Sequence, residues 1–297
     1  MVYAFLYLIS LLPFRILYFF SDLTSFILFY IIRYRRNVVK DNIAKSFQNL
    51  NSNDRLKIER EFYTNFCDNF FETIKLLSMT EKELHSKIEF DYSNLNQLIE
   101  NKQNIHIYLG HQFNWEWANA HIASVLKDIN IVVAYKPLRN RSFNNLMFKL
   151  RSRFGSKMVS SKNMKKEIED LKVKEHILIL VADQNPKTPD KSFWKSFLSR
   201  PTSFISGSEL YSASKNAPTF FAKIIRLKRG KYKFDVSPIF NFDEEYHLGK
   251  ITNIFTNKLE DAIIHNPENY LWSHKRWKHI YKEQYNKRWL SNIELTS

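Results

Sequence analysis

The middle of the chain divides into short, continuously apolar runs and longer stretches in which apolar residues recur at three- and four-residue steps. The runs at 105–109, 129–135 and 176–182 are too short for core helices and apolar almost throughout, the pattern of strands buried on both faces. A shorter run at 156–160 predicts another strand. The periodic stretches at 115–127, 142–153, 164–172, 207–215 and 251–265 predict helices. Strands alternating with helices of about ten residues predict an α/β fold with a mainly parallel central sheet flanked by helices. Farther along, 218–226 and 231–239 predict two strands joined by a turn at Arg229-Gly230. The stretch 53–79 predicts a packing helix with Leu56, Phe62, Phe66, Phe70, Thr73 and Leu77 on one stripe and Asn53 or Asp54 as its cap, and 92–100 a short helix. The segment 185–206, polar, aromatic and carrying three prolines, reads as a long loop.

Both ends of the chain depart from this alternation. Residues 2–32 are almost all apolar or aromatic, interrupted by Pro13, Arg15 and Asp22. Crossing a bilayer takes about 20 apolar residues, and the uninterrupted pieces fall short of that. The pattern therefore predicts a membrane-embedded or interfacial helical hairpin, with one tilted span or a buried helix pair as the alternatives, dividing the chain into an anchor at 1–35 and an α/β domain at 36–297. No basic segment precedes the run and no small-residue cleavage site follows it, so a removable signal peptide is not expected. The basic cluster Arg33, Tyr34, Arg35 and Arg36 that closes the run suits anionic headgroups on the cytoplasmic side. The tail at 270–289 interleaves bases with aromatics, a mixture suited to a polar–apolar interface.

Composition narrows the picture. With 297 residues and 44% hydrophobic content, the chain can bury a large core, which argues against disorder. Its single cysteine, Cys67, rules out a disulfide framework or a cysteine zinc site and reads as a small buried residue. The net charge of +15 points to anionic partners: nucleic acid, an anionic membrane, a phosphorylated substrate or an acidic carrier protein. The bases are spread along the whole chain without a helix-turn-helix, zinc or RNA-binding motif, which argues against nucleic acid.

Ligands of open parallel sheets gather at the carboxyl ends of the strands, and His111, Lys136, Arg139 and Asp183 each fall just past a predicted strand end. His111 precedes Glu116 by five residues. On one helix that spacing puts side chains about 140° apart, so the two meet only if 110–114 form a turn and Glu116 opens the helix. A histidine so paired has what a general base needs, since the acid fixes its tautomer and stabilises its charged form. The same spacing also fits a satisfied loop histidine and a first-turn acid. Zinc held by His111, Glu116 and His121 would lack the H-E-x-x-H spacing, and neither a G-x-S-x-G elbow nor a phosphate-cradling glycine loop occurs.

Four segments together resemble the late acyltransferases of lipid A biosynthesis: GHQFNWEW with His111 and Glu116, the strand-end pair Asp183-Gln184, FLSRPTSFISG ending at Gly207, and YLWSHKRWK near the end. The apolar opening followed by YRRNVVKDNIAKSF is similar to that family's start, so the likeness runs through nearly the whole chain in order. Ser199 stands where the family pattern has glycine, and Asn185 where an acid or histidine is more usual. The resemblance implies a glycerolphosphate-acyltransferase-like fold of the lysophospholipid-acyltransferase superfamily. It further implies a membrane-bound enzyme moving a fatty acyl chain from acyl carrier protein to a hydroxyl of a lipid A precursor or related lipid. His111 would be the general base and Glu116 its orienting partner, with no metal and no cofactor besides acyl carrier protein as the acyl-bearing co-substrate. Lys136, Arg139 and Arg153 are candidates for lipid phosphate or else solvated surface bases, and Asp183, with Gln184 beside it, either orients one of these bases or caps the next segment. The implied place is the bacterial inner membrane, active site on the cytoplasmic side. An amino-acid-headed lipid as acceptor, or a non-catalytic membrane-peripheral lipid-binding protein, are the alternatives.

Overall fold

The computed structural model describes residues 2–290; the final positions of the expected 36–297 unit, 291–297, and Met1 of the expected anchor lie outside them. Two apolar helices open the chain, α1 (Val2–Ser10) and α2 (Phe14–Phe26), separated at Pro13, which has no N–H to continue a helix. A π turn at Ile27–Ile31 prolongs α2. Helices α3 (Arg36–Ser46), α4 (Ser52–Lys75) and α5 (Glu81–Ser86) lead to β1 (Ile88–Asp91) and α6 (Ser93–Glu100). The α/β body follows: β2 (Ile105–Leu109), α7 (Trp115–Val125), β3 (Asn130–Tyr135), α8 (Arg141–Ser152), β4 (Lys157–Ser160), α9 (Met164–Asp170) and β5 (His176–Val181). A hairpin of β6 (Phe193–Phe197) and β7 (Arg200–Phe204) precedes α10 (Gly207–Ser214), the long pair β8 (Thr219–Lys228) and β9 (Lys231–Phe240), and α11 (Lys250–His265).

Seven strands form one sheet in the order β1-β9-β8-β2-β5-β3-β4, parallel throughout except for the β8–β9 hairpin. β2 lies at its centre and buries all five residues, which explains its unbroken apolar run. Its Ile105, Ile107 and Leu109 face one core layer with Trp117, while Tyr108 faces the other with Phe255 and Leu259. Gly110, just past β2, is closely packed: a Cβ there would stand 2.5 Å from Leu259 Cδ1, so that side chain would have to shift.

Three expectations change. The long loop predicted over 185–206 instead contains the β6–β7 hairpin. Its two-residue turn places Leu198 and Ser199 at positive φ (50° and 62°), the geometry whose twist matches that of the flanking strands. Ser199 thus occupies a left-handed position that glycine adopts without strain. The cap of α4 is Asn51, whose side chain accepts from Asn53 N and Asp54 N, not Asn53 or Asp54. In the tail, Tyr270, Trp272 and Arg276 are buried, so its first part is core rather than interface.

At the N-terminus, Phe14–Ile31 forms the one helix among the described residues long and apolar enough to cross a membrane, with a mean hydropathy of 1.4 over 18 residues. Its outer face exposes Phe19, Leu23, Phe26 and Ile31, while Leu17, Ser21 and Ser25 are buried. A buried ionic cluster fastens the inner face to the body. Asp68 of α4, fully buried, accepts from Ser21 Oγ (2.6 Å), Arg226 Nη2 (2.6 Å) and Arg229 Nη2 (2.6 Å), and Arg229 also reaches Asp22. Asp22 therefore does not break the apolar helix, because its charge is paired with the β8–β9 turn.

Candidate active site

The centre of the sheet sets up the site. β2 and β5 run parallel with Leu109 opposite Val181. His111 and Asp183 stand at the same offset past these two strand ends, so the sheet itself brings them side by side. Asp183 Oδ1 lies 2.5 Å from His111 Nδ1, and Oδ2 accepts the His111 backbone N–H at 3.0 Å. One carboxylate thus fixes both the ring and the backbone that carries it. Burial on its own would raise the Asp183 carboxyl, but the charge and hydrogen bonds of His111, with help from Arg276, hold it down at about 2. Held by an ionised acceptor, Nδ1 carries the ring proton and Nε2 is left with a lone pair.

That lone pair faces Gln184, whose Nε2 lies 2.7 Å away and donates to it. The Trp115 indole meets the imidazole edge-on, ring centres 5.3 Å apart. The His111 side chain is 15% exposed, whereas that of Asp183 is 2% exposed. The backbone on the other side is supplied by 270–274: His111 O accepts from Leu271 N (3.2 Å), and Gln112 bridges Tyr270. Arg276, fully buried behind Asp183, donates to Asn185 Oδ1 (2.9 Å) and Ser203 O (2.8 Å), which gives the Asn185 of the Asp-Gln-Asn segment its role.

The turn that follows is built on a second buried acid. Asn114 caps α7, its Oδ1 accepting from Trp117 N (3.1 Å), while its Nδ2 donates to Glu72 (3.0 Å). Glu72 also accepts from Tyr18 of α2 (2.8 Å) and Tyr232 of β9 (2.6 Å). Burial raises the Glu72 carboxyl against the hydrogen bond from Tyr232.

The expected pairing of Glu116 with His111 does not form. α7 opens at Trp115, and its first turn directs Glu116 to α8, where the Arg151 fork draws it in: Nη2 at 2.6 Å and Nε at 2.9 Å. Glu116 also accepts from Trp115 Nε1 (3.0 Å), so it reaches His111 only through the indole that lies against the ring. Burial works against the Arg151 charge, but Glu116 outweighs it and raises its pKa. We expect Glu116→Ala to destabilise the fold by about 3–5 kcal/mol, because it leaves a largely buried guanidinium unpaired. Urea unfolding measures this, and the double change Glu116→Ala, Arg151→Met should recover most of the loss.

A family model described as bacterial lipid A biosynthesis acyltransferase matches residues 1–279. The chain belongs to that family. A comparison with curated proteins gave no match. In this lipid A acyltransferase family member, the remaining predicted residues take two different places. Lys136 and Arg139 are exposed on the loop after β3 and form no hydrogen bond or ion pair with described residues. Arg153 instead donates to Leu76 O (2.5 Å) and Met79 O (2.6 Å), so its guanidinium closes the end of the α4 segment rather than standing free for phosphate. His121 lies beside His85, ring centres 5.0 Å apart, away from the partners of both His111 and Glu116. Sequence reasoning missed the role of Asp183 at His111. The signal was there: the apolar runs 105–109 and 176–182 each end within two residues of a titratable side chain, His111 and Asp183.

Proposed function

We propose that the protein transfers a fatty acyl group from acyl carrier protein to a hydroxyl of a lipid A precursor or related lipid, with His111 as general base and Asp183 as the residue that orients it. The observation that carries this reading is the double hold of Asp183 on His111 Nδ1 and the His111 N–H, which leaves Nε2 as the basic nitrogen. An acceptor hydroxyl displacing Gln184 from Nε2 gives up its proton there as its oxygen attacks the thioester carbonyl carbon. The tetrahedral intermediate then collapses, and the carrier's thiolate leaves and takes the proton back from the imidazolium. No covalent acyl-enzyme is needed, and no metal or bound cofactor enters. Gln184, once displaced, keeps an amide N–H beside the reacting centre and is our candidate donor for the oxyanion.

The Asp183 carboxylate stabilises the imidazolium formed during the step, as the acid of a catalytic triad does. Glu116 and Arg151 hold Trp115 and the start of α7, and so act on the imidazole through the indole. The +15 charge suits an acidic carrier protein and an anionic bilayer, with Lys136 and Arg139 exposed for either. The apolar outer face of 14–31 suits anchoring at the bacterial inner membrane, with the site on the cytoplasmic side where acyl carrier protein is found.

The test is a reconstituted assay with acyl carrier protein donors and a panel of lipid acceptors, phosphorylated and amino-acid-headed, read by lipid mass spectrometry. We expect His111→Ala to lower product formation by at least about 10³-fold, the scale of a lost general base plus its positioning, while circular dichroism and membrane binding stay as in the wild type. Full transfer by that variant would end this mechanism. No product from the wild type with any donor would leave the non-catalytic lipid-binding alternative.

A further inference from the structure

A cationic cavity lies directly after the apolar helix. Arg33, Arg35, Arg36, Asn37, Val38 and Lys40 surround an open space of about 530 Å³. No carboxylate lines it. Arg36 is neutralised from one side by Glu59 at 2.9 Å, but Arg33, Arg35 and Lys40 form no ion pair with any described residue. Three unpaired cations around one opening repel one another, and an anion placed among them relieves that repulsion while gaining charge-assisted hydrogen bonds from the guanidinium forks.

The flanks of the cavity say where such an anion comes from. On one side Ile31 and Ile32 are about two-thirds and three-fifths exposed (66% and 61%), continuing the apolar outer face of α2 to the rim. An anion carried on a hydrocarbon chain could lie along that face with its head in the cavity. On the other side Arg35 Nη1 donates to Ser273 O at 3.0 Å, and Asn42 of α3 donates to Trp272 O (2.8 Å) and His274 O (3.0 Å). The same segment gives Leu271 N to His111 O. From Leu271 to Ser273 is two Cα steps, about 7 Å of chain. Cavity and base therefore share one short piece of backbone.

We propose that Arg33, Arg35, Arg36 and Lys40 form a binding site for a phosphate monoester on a lipid, which holds the phosphorylated headgroup of the acceptor while its hydroxyl is presented to His111. The identity of that lipid as the acceptor rests on the acyltransferase reading above; the phosphate site itself rests on the cavity. A monoester carries more charge than the phosphodiester of bulk lipid and presents three oxygens to the forks. Lys136 and Arg139, on the loop after β3, are left for the carrier protein or the bilayer surface.

Vesicle flotation of the full-length protein tests the site. The vesicles are phosphatidylcholine carrying either phosphatidic acid, a monoester, or phosphatidylglycerol, a diester, at densities matched in charge. The wild type should bind the phosphatidic acid vesicles about tenfold more tightly. Arg33→Gln with Lys40→Gln should abolish that preference. Lys165→Gln with Lys166→Gln, an equal loss of charge on α9, should keep it, and so should His111→Ala. Equal binding to both vesicles, loss of preference in the α9 variant, or its survival in the cavity variant would overturn the site. So would loss of the preference in low millimolar inorganic phosphate, which would mark a site for the free ion. If instead the wild type forms no acyl product while the preference follows the cavity residues, the acyltransferase reading fails and the lipid-phosphate site stands.

Discussion

Asp183→Asn should lower acyl transfer by about 10³–10⁴-fold with little change in the fold, the scale seen when a histidine base is left in the wrong tautomer. In the native site both carboxylate oxygens accept, one from the ring and one from the His111 N–H. An asparagine has only one acceptor oxygen. If that oxygen keeps the backbone N–H, the amide N–H is turned to Nδ1 and forces the ring proton onto Nε2, the atom that must be free to take the proton of the acceptor. Shape and packing are preserved, so the loss should lie in kcat, and the thermal midpoint should move by a few degrees at most. A variant that transfers at the wild-type rate would show that the carboxylate does not prepare the base.

Asp68→Ala should destabilise the fold by about 3–5 kcal/mol, because it removes the one acid that pairs both Arg226 and Arg229 at a fully buried position. Arg226 is only 14% exposed and would keep its charge beside the Glu72 carboxyl, which acts on it but is itself pushed towards the neutral form by burial. Asp22→Ala removes the partner on the outside of the same cluster, where the carboxylate is 57% exposed, and should cost under about 1 kcal/mol. Urea unfolding in a mild detergent compares the two. Because Ser21 Oγ also donates to Asp68, the Asp68 variant should further loosen 14–31 from α4, seen as faster proteolysis near the β8–β9 turn. Equal losses for the two variants would mean that the cluster works as a surface network rather than through the buried acid.

Much of this architecture was legible in the sequence because its cause is local. Apolar runs such as 105–109 and 176–182 can only be strands buried on both faces, and the helices between them follow from their periodicity. The hairpin turn at Arg229-Gly230 was equally plain, since Gly230 takes a positive φ of 69°. What the sequence hid was set by contacts between distant segments. Glu116 looked like the partner of His111 because it was five residues away, whereas the actual partner is separated by 72 positions and brought alongside by β2–β5 register. The alternative claim on Glu116 came from Arg151, a residue on another helix whose reach no spacing rule describes. The β6–β7 hairpin escaped notice because its turn, Leu198-Ser199, lacks the Asn-Gly or Asp-Gly pair that usually announces such a turn. Pro201 also sits within β7, where proline ordinarily speaks against a strand.

The account depends on His111 offering a bare Nε2 to the acceptor because Asp183 holds the proton on Nδ1. Long-range ¹H–¹⁵N spectra of protein labelled with ¹⁵N-histidine, recorded in detergent at a pH where the ring is neutral, read that tautomer directly. We expect His111 as the Nδ1–H form in the wild type and as the Nε2–H form in Asp183→Asn. A wild-type His111 protonated on Nε2, or one tautomer shared by both proteins, would contradict the assignment of His111 as a base prepared by Asp183.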